Sequence, residues 1–142
     1  IEIFNFLRKR DVNIKSGISN KKPQIKMFYR KKINMLNTVN KNFARKHFKN
    51  GFKEKLVNVN TLNYFMEKNF KKPKKIDFLN IDVEGDEIKV LKSLNFKKYT
   101  PKLICIEMHD KFYKKSNVYR FLINKRYKIV WNTKYSFVFK KI

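Results

Sequence analysis

The stretch Ile76 to Glu87, IDFLNIDVEGDE, decides the reading of this 142-residue chain. Ile76, Phe78, Leu79 and Ile81 form a short apolar run, the pattern of a buried strand. Asp82 and Glu84 interrupt the run, Gly85 breaks it, and Asp86 and Glu87 follow. Ligands of open α/β sheets bind where the strands leave the core at their carboxyl ends. Acids at that point are therefore site candidates. Asp86 and Glu87 have a simpler explanation, because carboxylates favour a helix N-terminus. Asp82 and Glu84 precede the glycine, so that explanation does not reach them. The whole chain carries 36 Lys+Arg against 11 Asp+Glu, which makes this acidic cluster a local exception.

Downstream, Asp86 to Leu94 reads as a helix, with Ile88, Leu91 and Leu94 on one side and Lys89 and Lys92 on the other. Pro101 precedes a second apolar run, Leu103 to Met108, broken by Glu107. Strand, helix and strand at this spacing make a βαβ unit, whose strands must be parallel. Both strands then end at one edge, which brings Glu107, His109 and Asp110 towards Asp82 and Glu84. Ser116 or Asn117 caps another helix, through about Asn124, with Val118, Phe121 and Leu122 inward. Tyr127 to Trp131 and Tyr135 to Phe139 are separated by three residues, which predicts an antiparallel hairpin with Trp131 in the core.

Upstream, Glu2 to Lys9 predicts a helix end with Ile3, Phe6 and Leu7 on one face. Val12 to Ile18 and Ile25 to Arg30 predict strands, joined by the turn Ser19 to Pro23. Asn40 to Phe48 predicts a short helix carrying Phe43, Ala44 and a structural His47. Leu56 to Asn60 alternates as a strand, and Thr61 caps a helix with Leu62, Phe65 and Met66 inward. Asn69 to Lys75 is an exposed connection. These elements predict one α/β domain: a mostly parallel sheet that ends in an antiparallel hairpin.

Composition narrows the function classes. No apolar run approaches the roughly 20 residues of a membrane span. Cys105 is the only cysteine, so an internal disulfide is excluded, and its apolar setting reads as a buried structural thiol. The formal net charge of +25 suits a polyanion partner. The lysines, however, are scattered through every segment, and Arg, the residue suited to bidentate phosphate and base contacts, is scarce beside Lys. Richness in Lys, Asn, Ile and Phe points instead to compositional bias, and most Phe and Tyr fall on predicted inward positions.

IDFLNIDVEGDEIKVLKSLNF followed by PKLICIEMH resembles the C-terminal half of the FkbM-family S-adenosylmethionine-dependent methyltransferases. SGISNKK, the Leu36-Asn37-Thr38 step and VNVNTL also look like that family. The resemblance covers most of the chain, and its specific part is Ile76 to Gly85. It implies a Rossmann-like class I methyltransferase sheet, S-adenosyl-L-methionine as cofactor and a small-molecule acceptor. O-methylation of a hydroxyl on a sugar or other metabolite, in the cytoplasm, is the implied activity. Such enzymes hold the cofactor with a Gly-rich loop, and this chain has only Gly17, Gly51 and Gly85. The chain also does not begin with Met. A partial domain over residues 1–142, lacking the N-terminal strands and binding the cofactor weakly, is therefore expected.

The resemblance places Asp82 where cofactor methyl and acceptor meet, facing the sulfonium charge or hydrogen-bonding the cofactor. Glu84 can orient the acceptor, bind a cation with Asp82, or act as base. Glu107 and His109 approach from the next strand as further catalytic candidates. The same four residues can also be read as metal ligands, since carboxylates with a histidine suit a divalent ion. No metal is assigned here. Two other functions compete: a basic nucleic-acid-binding module without base specificity, and a non-catalytic methyltransferase remnant.

Overall fold

The computed structural model describes residues 2–20, 23–31, 36–72, 75–109 and 112–142. The elements in chain order are α1 (Glu2–Leu7), β1 (Gly17–Ile18), β2 (Gln24–Tyr29), α2 (Lys41–His47), β3 (Lys53–Asn60), α3 (Leu62–Asn69), β4 (Phe78–Ile81), α4 (Glu87–Lys92), β5 (Leu103–Glu107), α5 (Asn117–Asn124), β6 (Tyr127–Asn132) and β7 (Ser136–Lys141). A short 3-10 turn, Tyr113–Lys115, precedes α5.

Local chemistry explains several boundaries. Asn40 caps α2 by accepting from the amides of Asn42 and Phe43. The Thr61 side chain accepts from the Tyr64 amide at the start of α3, and Ser116 accepts from the Tyr119 amide at the start of α5. Each side-chain oxygen satisfies an amide that the first helical turn leaves without a partner. Asp86 occupies the same position before α4 but makes no such bond; its carboxylate holds Lys89 at 2.7 Å instead.

The strands form two sheets, β1-β3-β2 and β4-β5-β7-β6. The βαβ expectation holds: β4 and β5 are parallel, with Phe78 opposite Leu103 and Ile81 opposite Ile106. The C-terminal hairpin also forms. The expected mostly parallel sheet does not. β7 lies antiparallel between β5 and β6, and β2 runs antiparallel to β3, so among the described residues only β4–β5 and the short β1–β3 ladder are parallel. The physical reason is the returning arm of the hairpin: it docks on β5, so two of the three ladders in the larger sheet are antiparallel.

The main core lies on one face of that larger sheet. Ile81, Ile104, Ile106, Phe137 and Phe139 pack there with Val90 and Leu91 of α4 and Val118 and Leu122 of α5. The Tyr127 hydroxyl donates to the Pro101 carbonyl at 2.6 Å, satisfying a buried polar group that would otherwise be costly. A smaller cluster, Phe28, Ala44 and Phe48, joins α2 to β2.

Several local expectations are corrected. Of Val12 to Ile18, only Gly17–Ile18 is strand, because only these two residues meet β3. No residue of α1 is buried, and Ile3, Phe6 and Leu7 lie at the surface. Leu62, Phe65 and Met66 of α3 are half-buried rather than core. Trp131 is 56% exposed, not core. The register of β6 on β7 slips between Ile129 and Trp131, and the extra residue of this bulge turns Trp131 outward. Cys105 is half-buried on the sheet face opposite Ile104 and Ile106. Residues 21–22 of the expected turn, 73–74 of the Asn69–Lys75 connection, and Asp110 lie outside the described residues.

Candidate functional site

The carboxyl ends of β4 and β5 lie side by side because the two strands are parallel. Beyond β4 the chain makes a tight turn through Glu84 and Gly85. Glu84 has φ 52° and Gly85 has φ 107°, both outside the range that L residues prefer. Glycine suits the second position because it carries no Cβ; Glu84 has no such excuse. Two contacts hold the turn. The buried Thr38 hydroxyl donates to the Glu84 carbonyl at 3.1 Å and accepts from the Asn40 amide at 3.0 Å. The Gly85 amide donates to Oε1 of the buried Glu87 at 2.8 Å. Glu87 therefore closes the turn as well as beginning α4.

Glu84, Glu107 and His109 converge at this edge, with one donor atom from each within 4.8 Å of the others. His109 Nε2 lies 3.2 Å from Glu107 Oε2. The Tyr135 ring leans against the His109 ring, centroids 5.2 Å apart. Partial burial, and then the negative charges of Glu107 and Asp82, push the Glu84 carboxyl above its usual range. Burial and the nearby Asp82 charge push the Cys105 thiol up too, which keeps it protonated and a poor nucleophile.

Three of the four expected site residues thus meet. Asp82 does not join the cluster and is exposed. It follows the buried Ile81 by one position, so strand alternation turns it away from the core. It remains close enough for its charge to act on Glu84. His47 sits apart on α2, stacked on Phe43 with centroids 4.1 Å apart, as a structural residue would. Thr38 and Tyr135 are the positions that local reading undervalued. Thr38 stands out only through the Leu36-Asn37-Thr38 pattern. Tyr135 had no local signal, since β7 brings it to the site by pairing with a strand distant in sequence. A cavity of about 520 Å³ opens beside the turn between Phe28, Val39, Leu56, Asp86 and Lys89, and its walls include none of the three clustered residues.

Parallel strands with acids and an imidazole at their carboxyl edge define an α/β protein with a polar edge site. The sequence matches the Methyltransferase FkbM domain over residues 4–129, most of its length. The chain belongs to the FkbM methyltransferase family. No curated protein and no solved structure matches it. Among the described residues no helix is long and apolar enough to cross a membrane.

Proposed function

We propose that this chain is part of an S-adenosyl-L-methionine-dependent O-methyltransferase acting on a hydroxyl of a sugar or other small metabolite. The observation that carries the reading is the convergence of Glu84, Glu107 and His109 beside the exposed carboxylate of Asp82 at the end of a parallel strand pair. The parallel pair followed by an antiparallel hairpin is also the ending of a class I methyltransferase sheet, which favours a Rossmann-like layout for the complete domain.

The residues present suit a sulfonium cofactor on its charged side. Asp82 and Glu84 make no ion pair with Lys or Arg among the described residues, and so remain available to a positive ligand. S-adenosylmethionine supplies an electrophilic methyl group when bound. Asp82 would face its positive charge. Glu84 orients the acceptor hydroxyl, and the Glu107–His109 pair receives the proton that hydroxyl releases. Tyr135 fixes the plane of the imidazole. Alignment of this kind supplies much of a methyl-transfer barrier reduction. The nucleoside side is less well provided, because Gly17, Gly51 and Gly85 cannot build a Gly-rich loop. The chain is therefore a partial domain with weak affinity for the cofactor, and the cytoplasm is the setting this reading assumes.

The test is methyl transfer to a panel of hydroxylated acceptors at saturating cofactor, with Asp82→Asn and His109→Gln compared with wild type. Each variant should lose at least tenfold in turnover, about 1.4 kcal/mol in the transition state, with an unchanged melting temperature. Unchanged turnover per folded molecule in both variants would overturn the assignment. Calorimetry should show weak binding of S-adenosylmethionine; micromolar affinity would overturn the partial-domain argument.

A further inference from the structure

Five of the ten described acids of this chain pair with a lysine or an arginine. Asp11 pairs with Arg8 at 2.6 Å, Glu54 with Lys26 at 2.9 Å and Glu67 with Lys98 at 2.8 Å. Asp77 pairs with Lys102 at 2.6 Å and Asp86 with Lys89 at 2.7 Å. In a chain with 36 Lys+Arg such partners are easy to find. Yet neither Glu84 nor Glu107 has one among the described residues, and the nearest base is an imidazole. The fold brings two carboxylates and a histidine together and leaves lysine out.

We propose that Glu84, Glu107 and His109 form a binding site for one divalent first-row transition-metal ion, Mn²⁺ or Zn²⁺. Three donor atoms lie within 4.8 Å of one another, and two bonds of about 2.0–2.2 Å through a shared ion span at most about 4.4 Å, so the side chains would draw together on binding. The donor set selects the class of ion. Ca²⁺ and Mg²⁺ favour oxygen ligands alone, whereas an imidazole beside carboxylates suits a borderline transition ion. Three protein ligands also leave positions open for an exogenous oxygen, the usual plan of a catalytic rather than a structural site. The supports around the cluster fit this use: Thr38 fixes the Glu84 backbone and Tyr135 props the His109 ring. What the ion would do rests on the methyltransferase reading: once bound, it would occupy the donor atoms of Glu107 and His109 and replace their proton-accepting role, lowering the acceptor hydroxyl's hold on its proton, which would pass to solvent. Whether it binds does not depend on that reading.

Non-specific attraction is a poor competitor, because a net charge of +25 repels cations from the molecule as a whole. The metal-free chain would be titrated with Mn²⁺ alone, free ion being followed by electron paramagnetic resonance, and with Zn²⁺ alone against a chromophoric chelator. Saturation at one ion per chain is expected. Glu84→Gln and His109→Gln should each weaken binding at least tenfold while melting as wild type does; Glu107→Gln serves if either fails to fold. His47→Gln and Glu54→Gln, remote from the cluster, should leave binding unchanged. No saturable binding, or equal binding by wild type and the cluster variants, would overturn the site. Methyl transfer undiminished by chelation would overturn the ion's part in the reaction and leave the methyltransferase standing, the site itself being decided by the titration. Tight one-to-one ion binding without methyl transfer would support the site and count against the enzyme.

Discussion

Glu84 holds an uncomfortable position twice over. Its backbone is left-handed at φ 52°, a conformation that costs a non-glycine residue about 1–2 kcal/mol. Its carboxyl is half-buried beside Glu107 and Asp82, whose charges oppose its own. Strain of this kind persists where the surrounding structure enforces it, and it clusters at functional sites. Glu84→Asn should therefore melt at or above the wild-type temperature, since Asn visits left-handed conformations more readily and removes a repelled charge. The same variant should lose the chemistry of the edge. A melting temperature several degrees below wild type would show instead that the glutamate is structural. At this scale the sequence was informative where position alone mattered. The parallel-strand rule brought Glu107 and His109 to Glu84 without any knowledge of side-chain packing. The rule says nothing about burial; the exposure of Asp82 follows instead from its place one residue after the buried Ile81, on the other side of the strand.

The helices were legible from their first turns. Thr61 and Ser116 act within three residues of themselves, so their caps need no tertiary information. Ser116→Ala should cost about 1 kcal/mol, read by denaturant unfolding. Leu122→Ala should cost more, about 2–5 kcal/mol, because Leu122 is fully buried where α5 meets the sheet. Strand partners were less legible, since they are chosen by residues far away. Trp131 shows why: its outward turn follows from a bulge that exists only in the pairing of β6 with β7. Gly17 shows the same at β1, where a Cβ would meet Val59 Cγ1 at 2.7 Å, a contact no local pattern announces. Tyr127, at the start of β6, gives the core a pH limit. Burial pushes its phenol from 10.0 to about 12, so the folded chain keeps the proton after the unfolded chain releases it. The stability this contributes is fully present below pH 10 and is lost as pH rises towards 12. The stability difference between wild type and Tyr127→Phe should therefore shrink across that interval. A constant difference would show that the buried phenol is not the group responsible.

For the molecule as a whole, the dominant fact is a net charge of +25 on 142 residues. Such a surplus works against the compact state through self-repulsion. Raising ionic strength from about 0.01 M to about 0.15 M shortens the screening length from about 30 Å to about 8 Å. The melting temperature should rise over that range, and binding to DNA of any sequence should weaken steeply. A preferred DNA sequence whose advantage survives the higher salt would favour the nucleic-acid function instead. The screening has a second effect, which begins at β4. Among the described residues β4 pairs with β5 alone, and Phe78 at its start is 55% exposed. An unpaired strand edge is a template for another chain, and natural proteins guard such edges with charge. Here the guard is diffuse: copies are kept apart by their mutual charge rather than by a blocking residue on the strand itself. The condition that steadies each molecule therefore also lets molecules meet. In dilute buffer this protein should behave as a well-dispersed colloid of marginal stability, and in salt as a sturdier one whose particles adhere, growing in sedimentation with protein concentration.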